Sequence, residues 1–203
     1  MKRGLQVLIG LSVMLALVIF REWLGYSLGD AIHHLSVTLS RLMPPVIIGG
    51  AFGLGLSAMM RRNHHIESTL TPWLLSLLAI PWLLVIPAVN IIPYVGLSET
   101  TILVLATLIL TIKVAAAYGR SKQPTQARGQ LLRQGVRLVL ATVLVAELFS
   151  RTNGVGGQLR YYALFWSPPQ FVLYVVLASG LWGVIELSSW GMARLLGSIR
   201  QLA

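Results

Sequence analysis

Long apolar runs, separated by short charged or proline-rich segments, set the pattern of this chain. Six runs stand out: Gly4 to Phe20, Leu42 to Met60, Leu70 to Val89, Ile102 to Tyr118, Val136 to Phe149 and Phe171 to about Trp190. A helix needs about 20 mostly apolar residues to cross roughly 30 Å of hydrocarbon. The runs are too long and too continuous for lipid-facing barrel strands, which alternate apolar and polar positions. The pattern therefore predicts an all-α membrane protein of about six transmembrane helices, with residues 1–203 forming a single transmembrane domain. The first run is followed by Arg21-Glu22-Trp23 rather than a small-residue cleavage site, so it reads as an uncleaved span. The third is interrupted by Pro72, Pro81 and Pro87, and the fifth is short.

Residues 21–41 lie between the first two runs. Trp23, Leu24, Tyr26, Leu28, Ile32 and Leu35 recur there at roughly helical spacing. This predicts a short amphipathic helix on the outer surface, with Trp23 and Tyr26 at headgroup depth.

Composition strengthens the membrane reading. Hydrophobic residues make up 56% of the chain and charged residues 11%, against about 25% charged in a soluble domain. The net charge of +10 matches cytoplasmic loops facing anionic lipid, and no nucleic-acid partner is expected. Placing the N-terminus in the cytoplasm puts twelve Lys and Arg inside, Lys2, Arg3, Arg61, Arg62, Lys113, Arg120, Lys122, Arg128, Arg133, Arg137, Arg194 and Arg200. Four lie outside, Arg21, Arg41, Arg151 and Arg160. Both termini are then cytoplasmic. Cysteine is absent, which excludes disulfides, thiolate metal sites and a cysteine nucleophile.

Few residues carry candidate chemistry. The histidines are two adjacent pairs, His33-His34 and His64-His65. Neighbours on a helix point to different sides, and the two pairs fall on opposite sides of the membrane, so they read as interfacial polar residues. No metal and no cofactor is expected. Gly49, Gly53 and Ser57 form a small-xxx-small ladder that predicts close helix packing, within the chain or across a dimer. Gly50 and Gly55 thin the neighbouring face.

Pro81 and Pro87, with Asn90, Pro93 and Gly96 beyond them, predict a kinked segment that either lines a pathway or simply bends. Glu147 and Glu186 sit at membrane depth, where a carboxylate is a functional candidate by default. Glu147 can be read as a pathway residue or as a partner of Arg151, four residues on. Glu186 can also simply reach the inner interface. Gly154 and Gly156 belong to a turn-rich outer loop. No Ser-His-Asp set, H-E-x-x-H or P-loop is present, so an enzyme is not expected.

Four stretches, in order, resemble the permease subunit of bacterial ABC importers, in the branch that handles nitrate, taurine and aliphatic sulfonates. The first is His34-Leu35-Ser36-Val37-Thr38-Leu39-Ser40-Arg41, which enters the glycine-rich span. The second runs from Ile80-Pro81 through Ile86-Pro87 to Gly96-Leu97-Ser98-Glu99-Thr100, similar to the family's Pro-rich span and F-G-x-G-E turn. The third is Gly135-Val136-Arg137, like its G-L-R. The fourth is Ala146-Glu147 with Asn153-Gly154-Val155-Gly156, like its A-E and G-L-G. The resemblance extends over about Leu35 to Leu196.

It implies a subunit of the bacterial inner membrane that forms part of the translocation pathway for a small anionic solute. Pro81, Pro87, Asn90 and Glu147 would line that pathway. Implied partners are a second permease subunit, an ATP-binding subunit that hydrolyses ATP, and a periplasmic solute-binding protein.

The chain departs from the family between the fourth and fifth spans. The family carries there a coupling helix with an E-A-A-x-x-x-G motif and a later Leu-Pro. Here Arg120 to Gln134 intervene, with neither. This shortened cytoplasmic loop, 120–135, is basic (Arg120, Lys122, Arg128 and Arg133). The sequence allows a helical turn or two from Pro124, ended by Gly135. Two readings stay open: a divergent permease half, coupled to ATP through a heterodimeric partner, or a degenerate permease that anchors another membrane complex.

Overall fold

The computed structural model describes residues 28–92, 98–119, 125–150, 153–165 and 168–199, all helical apart from short connections. The helices are α1 (Leu28–Arg62), α2 (His64–Ala79), α3 (Trp82–Ile91), α4 (Glu99–Tyr118), α5 (Thr125–Ser150), α6 (Val155–Leu164) and α7 (Pro168–Ile199). No strand occurs among the described residues. The first predicted span, Gly4 to Phe20, lies outside them, as do Arg120, Arg151, Pro93 and Gly96.

Three helical stretches are long and apolar enough to cross a membrane: Gly29–Arg62, Glu99–Tyr118 and Pro168–Leu187. The pair α2 and α3 meets the same test together, bent by 73°. α5 carries Arg128, Arg133, Arg137 and Glu147 along its length. It is also the helix with most neighbours, packing on α1, α3, α4, α6 and α7. Its buried side includes Leu132, Val136, Val139, Leu140, Val143 and Ala146.

The bundle is built on close contact between α1 and α4, which run in the same direction. Gly49 lies against the Thr107 carbonyl and Leu110, and Gly53 against Val114 and Thr111. Ser57, one turn further, is fully buried. The predicted ladder is therefore an intrachain seam, and a methyl at Gly53 would lie 2.6 Å from the Val114 Cβ. Gly50 and Gly55 face away, with nothing near. Gly53→Leu is expected to force α1 from α4 and destabilise the protein by about 1–3 kcal/mol. Gly50→Leu is expected to be close to neutral. Thermal unfolding of the two variants in one detergent checks the difference.

α5 runs against α4. Gly135 packs on Lys113 and Leu110, and the Glu147 end of α5 meets the Arg41 and Glu99 ends of α1 and α4. α7 runs parallel to α1, with Tyr174 near His34 and Glu186 on Arg137.

Several predicted boundaries change. The outer amphipathic segment is not a separate helix over its described part. From Leu28 on it is continuous with the second span in one 35-residue helix. Pro44 and Pro45 are accommodated inside it, so the carbonyls of Ser40 and Arg41 lose their helical N–H partners.

Pro81 breaks the third span, whereas Pro87 lies within α3. At the break, the Trp82 indole N–H donates to the Leu77 carbonyl at 3.1 Å, the carbonyl that Pro81 leaves without its helical donor. The predicted 120–135 loop is mostly helix, because α5 starts at Thr125 and passes through Gly135 without ending. Gly135 serves as the flat spot that lets Lys113 approach. The outer loop after Glu147 also contains a helix, α6.

Candidate functional site: a buried carboxylate at one end of the bundle

α6 begins with a defect. Its N-cap is Gly154, which has no side chain to satisfy the free N–H groups of the first turn. Groups from two other helices supply the acceptors. The Val155 N–H donates to Thr38 Oγ1 at 2.9 Å. The Gly156 N–H donates to Glu147 Oε2 at 2.9 Å. The carboxylate also complements the positive end of the helix dipole.

Glu147 is the centre of the arrangement and has no exposed surface. Thr38 Oγ1 donates to its carboxylate at 3.0–3.1 Å. Arg41 Nη1 donates to Oε1 at 2.8 Å. The Arg41 guanidinium spans three segments. Its Nε lies 2.8 Å from Glu99 Oε2, Nη2 pairs with Glu99 Oε1 at 2.5 Å, and Nη1 also donates to the Asn153 carbonyl. One cation thus faces two carboxylates. The residual negative charge rests on the Thr38 hydroxyl and the α6 N–H groups, as a buried carboxylate requires.

His34 extends the network outward. Its Nδ1 accepts from the Gly154 N–H at 3.3 Å. Its ring meets Tyr174 edge-on at 6.0 Å, and Tyr174, fully buried, stacks on Tyr162 at 5.6 Å. His34 is thus more than an interfacial polar residue. No group of three or more metal-ligating side chains occurs among the described residues.

Glycine is required at two points. Gly154 has φ 125°, a region of backbone space closed to other residues, and a side chain there would run into the Glu147 carboxylate. Gly156 lies against the Leu144 carbonyl and the Glu147 Cβ.

The network brings some of the predicted residues together and not others. Glu147, Gly154 and Gly156 share one site. Glu147 pairs with Arg41; the sequence-adjacent Arg151 lies outside the described residues. Pro81 sits at the break between α2 and α3, and Pro87 and Asn90 lie on α3; the hydrogen-bond partners of Glu147 come instead from α1 and α6. Pro81 and Asn90 are exposed.

In the basic segment, Arg128 falls in the first turn of α5, and Arg133 Nε donates to the Gly129 carbonyl at 3.2 Å. Thr38, Arg41, Glu99 and His34 were missed as site residues. Arg41, an arginine beside an apolar span, was the one legible signal.

Chemically the site is a clamp. It offers no nucleophile beside a base, and its donors and acceptors are turned on each other. Compared with protein-family models, with curated proteins and with solved structures, the chain matches none.

Proposed function

We propose that this chain is a permease subunit of an ABC-type importer of the bacterial inner membrane, paired with a second, different permease subunit. One observation carries the reading. The stretches that resemble the permease family lie far apart in sequence, yet three of them meet in one network. Thr38 and Arg41 come from the first, Glu99 from the second, and Glu147, Gly154 and Gly156 from the fourth. The third contributes Gly135, seated on α4, and Arg137, paired with Glu186. A shared clamp gives a physical reason for those residue types to occur together. The exposed apolar side chains of α1, α3 and α7, such as Phe52, Leu84 and Val184, suit lipid and companion subunits.

Six spans with cytoplasmic termini, a periplasmic solute-binding protein and a small anionic solute belong to the same proposal. A second reading draws on the α4–α5 connection. Residues 119–124 alone separate these helices, and α5 continues straight through Gly135. That leaves little chain for a transverse coupling helix, and it favours a degenerate permease that anchors another complex. In the heterodimer, the partner supplies the coupling helix instead.

Gentle extraction from the native membrane, followed by identification of the stoichiometric subunits, separates the readings. An ATP-binding subunit and a second permease are the expected companions. A stable complex with neither would overturn the importer reading.

A further inference from the structure

We propose that one face of α5 and α7 lines a water-filled vestibule, open at the Arg61–Arg62 end of the bundle, reaching mid-depth at the Arg137–Glu186 pair and favouring small anions. Along α1, Arg41 and Arg61 mark two charged levels about 30 Å apart at 1.5 Å per residue, the thickness of the hydrocarbon layer. Gly135 packs on Lys113 and Leu110, and Glu147 shares Arg41 with Glu99. These two contacts fix the antiparallel register of α4 and α5. Arg137 is ten residues from Glu147, so it lies about 15 Å below the clamp. The Arg137–Glu186 pair is therefore near the middle of the layer. It is not at the inner surface, where sequence position alone would put Glu186.

The pair is close, with Nη2–Oε2 at 2.5 Å and Nε–Oε2 at 2.7 Å. Its side chains are nevertheless 39% and 28% exposed. Ionised groups turned to hydrocarbon at mid-depth are costly, and such groups face water or protein instead.

The surrounding pattern selects water. At helical spacing, Gln130, Arg133, Gln134 and Arg137 form one stripe of α5, and each is exposed or half-buried. The stripe runs from the inner end to mid-depth and stops there. One, two and three turns further, the same face carries Ala141, Leu144 and Leu148, the last level with the closed clamp at Glu147. Polar residues up to the midpoint and apolar ones beyond it describe an aqueous recess with a floor. Arg133 and Arg137 against Glu186 leave the stripe net positive, which concentrates anions. The recess as the inner half of a solute path rests on the permease reading; its hydration does not.

The chain has no cysteine, so single-cysteine variants report one position each. Membranes containing the full complex are prepared as inside-out vesicles and treated with a membrane-impermeant anionic methanethiosulfonate reagent. The thiolate reacts only where water reaches it. Gln134→Cys leaves the ion pair intact and is expected to label at least about tenfold faster than Val184→Cys. Val184 is 64% exposed, two residues from Glu186, on the opposite flank of α7. Glu186→Cys, at the same depth as Val184, is expected to label as well.

The anionic reagent is expected to outpace a cationic one at Gln134→Cys by roughly threefold, and Arg133→Gln should erase that difference. Protection of Gln134→Cys, or equal labelling at Val184→Cys, overturns the recess. Labelling at Gln134→Cys but not at Glu186→Cys overturns its reach to mid-depth. Equal rates for both reagents overturn the anion preference. No outcome depends on an ATP-binding subunit, so a failure here is distinct from a failure of the importer reading.

Discussion

Glu147→Ala is expected to be the most damaging single substitution in the chain. It strands the Arg41 guanidinium against Glu99 alone, leaves the Gly156 N–H without its acceptor, and removes the carboxylate to which Thr38 donates. Breaking a buried ion pair by removing one partner costs about 3–5 kcal/mol. For a chain of this size that is a fall of about 10 °C in unfolding temperature. Glu147→Gln keeps one acceptor oxygen and is expected to lose less.

Arg41→Ala combined with Glu147→Ala should cost clearly less than the sum of the two single changes, because neither charge is then left alone. Thermal unfolding in a fixed detergent measures all four. Additive losses would mean that the two residues do not share one network.

Gly154→Ala is expected to follow closely. The backbone at φ 125° is strained by about 1–3 kcal/mol for any residue with a Cβ, and the added methyl meets the Glu147 carboxylate. The α6 start must shift, taking with it the Val155 and Gly156 N–H groups. A loss of about 3 kcal/mol or more follows from the two effects together. Gly154→Asn should be no better than alanine, since this region lies beyond the left-handed conformation that asparagine tolerates. Retention of wild-type stability by either variant would contradict the geometry.

Long continuous apolar runs made the helices legible, because the lipid interior demands apolar rods whose backbone hydrogen bonds are satisfied internally. The Gly49–Gly53–Ser57 seam was legible too, since close backbone approach needs small residues at that spacing. Boundaries were harder to read. Gly135 suggests a helix end, yet α5 runs through it because α4 packs there, and α1 runs on through Pro44 and Pro45. Pro81 does break its helix, and Trp82 caps the exposed carbonyl.

The clamp was half legible. Glu147 stood out as a carboxylate at membrane depth. Its partner did not, because Arg41 is 106 residues away in sequence and local spacing favoured Arg151. The α6 helix was hidden because its N-terminus is capped from other helices and not by its own preceding residue.

In the proposed reading the helices cross the membrane, with the Glu147 clamp on one side and Arg61-Arg62 on the other. Single cysteines at Asn153 and His64, both exposed, test it most directly. An impermeant thiol reagent is expected to label Asn153→Cys in right-side-out membranes only and His64→Cys in inverted vesicles only. Labelling of both from the same side would contradict a membrane-crossing bundle.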